Sequence, residues 1–491
     1  MEPLHDPRLL LAVLVPLAGA VLVMVTGARP NVRETCSFLA AAALFGLVAS
    51  LVPDVRAGKT LSFCVFSLLP GLSITLRADA LSMIFALAAS FLWVVTVFYS
   101  AGYMRGLEEH AQTRFNACFA LALFGAIGCA FADNLLTLYL FYEIVSICTY
   151  PLVAHHQDGE SYESAKKYLV YLTSAAKGLV LPAMALIYLL TGNLDFARNI
   201  HAGILPADAQ RWVVTALYAC CILGFAKNGL MPLHNWLPSA MVAPTPVSAL
   251  LHAVAVVKVG VFSTVRVMLY VFGVDRLSAL HLGLPTAYFV SITILTASIV
   301  ALSKDNLKAR LAYSTVSQLA YIVLGVALLT PTGIEGGLIH IANHAFAKIT
   351  LFFCAGAIYV ATHKKNISEM SGLGRAMPFT FGAFALAALS MIGAPPVAGF
   401  ISKWYLLLGA RDAGSLGIIL VLITSTLLNA AYFVPVVYSA FFGKAPEADA
   451  GHQYHEAPAA MLIPLTLTAL ISVGIGIYPA FFMRFAQAVL P

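Results

Sequence analysis

Seven side chains of this sequence could handle a proton: Glu143, Lys227, His252, Lys258, His344, Lys348 and Lys403. All seven lie in or beside long apolar runs. An ionisable group at membrane depth costs at least about 2.5–3.5 kcal/mol on insertion scales, so several together call for an explanation. Glu143 sits in Leu138-Tyr139-Leu140-Phe141-Tyr142-Glu143-Ile144-Val145-Ser146, near the middle of its run. Its stem is too short to lift the carboxylate to an interface. Lys227, just before a Pro/Gly-rich interruption, is its natural partner. Burial favours the neutral form of an acid or an amine, and an opposite charge nearby favours the charged form. A carboxylate–ammonium pair whose separation changes is therefore a proton switch, although a static buried ion pair that only specifies packing is the alternative. Lys258 lies mid-run, six residues after His252, about 9 Å along a helix axis, so a water would have to stand between them. His340, His344 and Lys348 follow one another at i,i+4 and form one polar stripe on an apolar helix. Metal binding by His340 and His344 is open at that spacing, but no acidic third ligand is close in sequence. Lys403 follows a second interruption. Lys177 can snorkel, and Asp79, Asp133, Asp305 and Lys308, near run ends, read as caps and loop contacts.

The elements that position these groups follow from composition. Of 491 residues 60% are hydrophobic and 10% charged, well under the ~25% charge of a soluble domain. The expected fold is an all-α integral membrane protein in a lipid bilayer, a single membrane domain over residues 1–491. Apolar runs long enough to span, about 20 residues, occur at 8–28, 33–52, 79–101, 113–131, 133–153, 163–190, 211–230, 246–271, 284–303, 307–329, 333–361, 378–409, 415–442 and 458–485. That predicts about fourteen transmembrane helices. Residues 61–78, broken by Pro70-Gly71, read as a hairpin. The first run continues without a convincing cleavage site and reads as a span, not a signal peptide. Two spans are interrupted, one across Lys227–Pro238 and one across Gly393–Lys403. Proline removes a helical hydrogen bond, and freed backbone at membrane depth survives only inside protein or beside water. Paired discontinuous helices point to inverted repeats around a transport site. The breaks are five spans apart, predicting two inverted five-helix repeats, 112–271 (spans four to eight) and 284–442 (spans nine to thirteen). Lys and Arg favour the odd-numbered loops by thirteen to nine, which places those loops in the cytoplasm and both termini outside. The net charge of +6 is thus read as topology, not as nucleic-acid binding. The eight Cys are scattered with no CxxC or Cys/His spacing, so no metal or iron–sulfur centre is expected. No cofactor is expected either, since no phosphate-binding glycine loop or haem attachment motif is present.

Read together, these stretches resemble the antiporter-like membrane subunits shared by respiratory complex I, membrane-bound hydrogenases and Mrp-type cation/proton antiporters. The stretches are Asn134–Glu143, Lys227–Pro238, Ala243-Pro244-Thr245-Pro246-Val247-Ser248-Ala249-Leu250-Leu251-His252 with Lys258, His340–Lys348 and Pro395–Lys403. The resemblance runs from about Asp79 to Phe482. It implies a fourteen-helix core with two inverted five-helix repeats and work inside a multi-subunit complex. It also implies that Glu143 and Lys227 form the switch pair, that His252 and Lys258 relay centrally, that His344 and Lys348 continue the path, and that Lys403 ends it. Length, ending and Lys403, where one subunit type carries a glutamate, look most like the D-type subunits of Mrp antiporters and their hydrogenase-associated relatives. Lys177 and the doublet His155-His156 have no place in that mechanism.

Three functions compete. The chain is expected to be a proton-translocating subunit of a monovalent cation/proton antiporter in the cell inner membrane, exchanging protons for a cation such as sodium. The alternative is a proton-pumping subunit of a redox complex, of the NADH:quinone oxidoreductase or membrane-bound hydrogenase kind, with no redox centre of its own. A structural membrane anchor comes last, because an anchor needs no midplane lysines on broken helices. Partners are expected to be other membrane subunits.

Overall fold

The computed structural model describes residues 4–444 and 454–490, and the side chain of His252 is outside the described set. Leu4–His5 (β1) pairs with Leu61–Leu69 (β2), which turns at Gly71 into Leu72–Ala78 (β3). This is the hairpin that Pro70-Gly71 predicts. The rest is helical: α1 (Arg8–Val25), α2 (Pro30–Ser50), α3 (Ala80–Gly106), α4 (Gln112–Ala130), α5 (Leu135–Val153), α6 (Gly159–Thr191), α7 (Arg211–Gly224), α8 (Thr245–Phe272), α9 (Gly283–Leu302), α10 (Leu307–Ala327), α11 (Pro331–Thr362), α12 (Pro378–Ile392), α13 (Ala398–Asp412), α14 (Leu416–Phe442), α15 (Ala459–Ile477) and α16 (Ala480–Gln487). Eleven of the described helices are long and apolar enough to cross a membrane. The other three expected spans are the shorter α7 and α12 and the more polar α10. The chain is thus an all-α integral membrane protein by fold.

Helix starts follow local chemistry. Asp79, Asn134, Asp158, Asn306 and Thr330 each accept a backbone N–H three residues on, satisfying a donor that the first turn leaves open. Both expected breaks are present. α7 stops at Gly224, six residues short of the expected 230, and the chain passes through a single 3-10 turn at Ala226–Asn228 before resuming at Trp236. Gly260 of α8 lies directly against the Lys227–Asn228 backbone, where any Cβ would overlap it. The expected 378–409 span is two helices, because Gly393 takes φ +90° and Pro395-Pro396 cannot continue the ladder. The last expected span, 458–485, ends at Ile477, and Pro479 starts a separate helix.

α11 holds the centre. At 32 residues it is about 48 Å long, and it packs against α3, α8, α10, α12, α13 and α15. Residues Gly336 to Ile358 of it are buried without interruption, so its His340–His344–Lys348 stripe faces other helices, not lipid. Two helices widen locally into π-helical turns, α6 at Ala176–Val180 and α8 at Ser248–Ala255 and again at Met268–Phe272. Such turns free carbonyls from the ladder and often mark functional positions.

The near-terminal acids do cap and tie, as their places suggest. Arg266 of α8, fully buried, forks onto Asp79 with contacts of 2.6 and 3.0 Å and reaches Ser82 Oγ at 2.8 Å. Arg77 lies 3.2 Å from Asp79 and 3.1 Å from Asp133. This network joins the hairpin, the start of α3, the α4–α5 turn and α8. Removing one partner of a buried pair strands the other charge at a cost of about 3–5 kcal/mol. Asp79→Ala should therefore lower the thermal unfolding temperature of the detergent-purified protein sharply. An unchanged melting curve would mean that this network does not hold the hairpin to the bundle.

Candidate functional site

The break after α7 carries Lys227 inward against α5. Its Nζ donates to the Tyr142 carbonyl (2.8 Å) and to Ser146 Oγ (2.6 Å) and lies 3.1 Å from the centre of the Tyr142 ring. Its backbone N–H donates to the Tyr142 hydroxyl at 3.0 Å. Asn228 and Trp236 pin the break from either side, Asn228 to the Ile222 carbonyl and Trp236 Nε1 to the Ala226 carbonyl. Glu143 stands between the two residues that hold Lys227, half-buried, and its Oε1 has no hydrogen bond. Lys227 thus docks on the turn of α5 that carries Glu143, but the expected pair is not in ionic contact. The ammonium is held instead by neutral oxygens one residue before and three after the carboxylate.

Lys258, fully buried in the regular helix that follows the π-helical stretch of α8, meets His344 Nδ1 on α11 at 2.9 Å. The partner that spacing suggests is His252, whose side chain lies outside the described residues. Spacing alone does not join His344 to Lys258, because the two are 86 positions apart. Next along α11, His340 has its ring centre 5.9 Å from that of His344. His340 shares one hydrogen bond with Ser402 Oγ (2.8 Å) and another with Gln318 Oε1 (3.1 Å). With both nitrogens of His340 engaged and Lys258 on His344, the two rings do not converge as metal ligands.

Lys403 returns from α13 across the second break and donates to the carbonyls of Met391 (2.8 Å) and Ile392 (2.9 Å), the last two residues of α12. Those carbonyls have no helical partner and carry the negative end of the helix dipole. Gln318 and Asn429 also donate to Met391, at 3.4 and 3.3 Å. Lys348 takes a side branch: it donates to Ser314 Oγ at 2.9 Å, Tyr432 bonds the same hydroxyl at 3.0 Å, and Tyr432 in turn bonds Asn429. Both branches converge on the Met391 carbonyl beside Lys403.

From Lys258 to Lys403 the described residues form a row of amines and imidazoles joined by hydroxyls and amides, and Lys227 lies on the break that packs against Gly260 of the helix carrying Lys258. Among the described residues the row holds no nucleophile–base pair and no ligand cage. Spacing puts His340 on the stripe with His344 and Lys348 but does not single out Gln318, Ser402, Tyr142, Ser146, Tyr432 or Asn429. Gln318, an amide amid the apolar run Val316-Ser317-Gln318-Leu319-Ala320, is the one with a readable signal. Lys177 is exposed on α6. Among the described residues the one group with metal-ligand spacing, Glu109, His110 and His155, lies off this row.

Residues 132–429 match the profile of the NADH:quinone oxidoreductase/Mrp antiporter transmembrane family. NADH-quinone oxidoreductase subunit N of Desulforudis audaxviator is 33% identical over 489 residues, covering 96% of each chain. Subunit L of the same enzyme in Mycobacterium tuberculosis is 34% identical over 95% of this chain and 74% of its own. A chain of the Mrp complex from Dietzia sp. DQ12-45-1b shares the fold, with a TM-score of 0.87 at 21% identity over 98% of this chain and 96% of its own. By a profile that spans more than half of its length and by these relatives, the chain belongs to the NADH:quinone oxidoreductase/Mrp antiporter family of membrane subunits.

Proposed function

We propose that the chain carries protons sideways through the middle of the bilayer, along Glu143, Lys227, Lys258, His344, His340 and Lys403, with Lys348 on a parallel branch. The observation that carries this is the 2.9 Å contact between Lys258 and His344. It joins the unit at 112–271, which holds Glu143 and Lys227, to the unit at 284–442, which holds Lys348 and Lys403. Without it the two broken helices would serve separate sites. In this reading the two units are inverted repeats within fourteen spans. Glu143, unbonded and half-buried beside a lysine held by neutral groups, is the movable half of the switch, and His252 is a central relay. The chain works within a larger membrane assembly in the cell inner membrane, with both termini on the outer face.

The first assignment within that reading is a component of an Mrp-type antiporter, similar to the D-type subunits, trading protons for a monovalent cation such as sodium. The lysines and histidines of the row repel metal cations, so a sodium path lies partly in a neighbouring subunit. The second is a proton pump powered by electron transfer in partner subunits, and the end-to-end match to subunit N favours it. The proteins that co-purify with the chain decide between them: small multi-span subunits for the antiporter, iron–sulfur subunits for the pump.

Because Glu143 Oε1 has no hydrogen bond, Glu143→Gln should change stability by no more than ~0.5 kcal/mol, yet abolish coupled proton movement in membrane vesicles. Full transport in that variant would end the switch assignment. Lys227→Ala should abolish transport as well. Lys403→Ala and Gln318→Leu should each slow turnover while the complex still assembles. Wild-type rates in both would remove the distal half of the path.

A further inference from the structure

The turn after α3 and the end of α5 bring four unassigned side chains together. Glu109 and His110 come from the α3–α4 turn, and His155 and His156 follow α5. His155 Nε2 lies 3.6 Å and His156 Nδ1 3.7 Å from the same oxygen, Glu109 Oε2. One ligand atom each from Glu109, His110 and His155 all lie within 4.8 Å of one another. Two ligands bound tetrahedrally to zinc at about 2.1 Å stand roughly 3.4 Å apart, so the cluster needs little movement to close on an ion. His155 supplies the second, independent sign. It is fully buried, yet neither ring nitrogen has a hydrogen bond. Buried polar atoms are ordinarily paired. Nothing in the proton row uses this ring.

The cluster is held in place from outside. Arg114 donates to the His155 carbonyl at 2.8 Å, and Phe115 meets the His155 ring edge-on. Gln112 donates to the Glu109 carbonyl at 3.0 Å.

We propose that Glu109, His110 and His155, with His156 as the adjacent fourth donor, form a site for a divalent transition-metal cation of the zinc class. Glu109 and His156 also line a polar cavity of about 570 Å³ that contains Lys308, Lys364 and Lys365. An occupied site would clamp the end of α3 to the end of α5 and withdraw two polar groups from that cavity wall. The site stands apart from the proton row and does not depend on its assignment.

Cobalt(II) is the probe, since its visible absorption reports a tetrahedral nitrogen/oxygen environment. The full chain, purified in detergent with a tag free of histidine, is titrated with cobalt and then with zinc. The expected result is one bound cobalt per chain with a visible band, displaced by zinc. His110→Ala and Glu109→Gln should each weaken binding at least ~10-fold. His110 is exposed, so its variant tests the site without disturbing the core. The absence of a cobalt band in the wild type, or unchanged affinity in both variants, overturns the site.

Discussion

A buried ammonium with no counter-ion has only neutral oxygens and nitrogens to lean on, and the architecture follows from how they are supplied. Helices spend their carbonyls on their own ladder, so an unbroken bundle has few to spare. Here a helix is broken beside two of the row's lysines, Lys227 and Lys403. Lys403 rests on the carbonyls that α12 leaves open at its end. Lys227 sits in the gap after α7 and reaches the Tyr142 carbonyl on α5. Lys258 stands in regular helix three residues past the π-helical stretch of α8 and takes an imidazole. At Lys227 and Lys403 the discontinuities are thus where the fold receives an amine, whereas Lys348 is received between unbroken helices on Ser314 Oγ.

The protein holds a second kind of buried charge, and the contrast is informative. Arg77 and Arg266 meet Asp79 and Asp133 in direct ionic contact, at the base of the hairpin. A permanently charged guanidinium forked onto a carboxylate fixes structure and does not exchange protons easily. The row uses Lys and His, whose protons can leave, and pairs them with groups that do not lock the charge in place. One chemistry ties helices together. The other leaves the protonation state open to change, and Glu143, the carboxylate of the row, has an oxygen left unbonded.

Much of this is legible in sequence because hydrophobic runs, prolines and out-of-place charges are local signals. The hairpin at 61–78, both breaks and every lysine of the row can be read that way. Partners cannot, since they are set by packing between segments far apart in the chain. Spacing matches Lys258 to His252 on its own helix but does not show its contact with His344 on α11. Charge matches Glu143 to Lys227 as a pair of variable separation, but not the neutral oxygens on either side of Glu143 that hold the lysine. The Glu109–His155 cluster escapes for the same reason: its ligands come from two turns about 45 positions apart, and no spacing rule joins them.

The convergence on Met391 bears on how the far end of the row works. One carbonyl receives Gln318, Asn429 and Lys403, more donors than its two lone pairs can bind well at once. The lysine contact, at 2.8 Å, is the shortest of the three. If Lys403 gives up its proton or swings away, Gln318 and Asn429 can shorten onto the freed lone pair. Gln318 is bonded to His340, and Asn429 leads through Tyr432 and Ser314 to Lys348. Competition for a single carbonyl thus couples the state of Lys403 to both branches behind it, without any ionic contact between the cationic groups themselves.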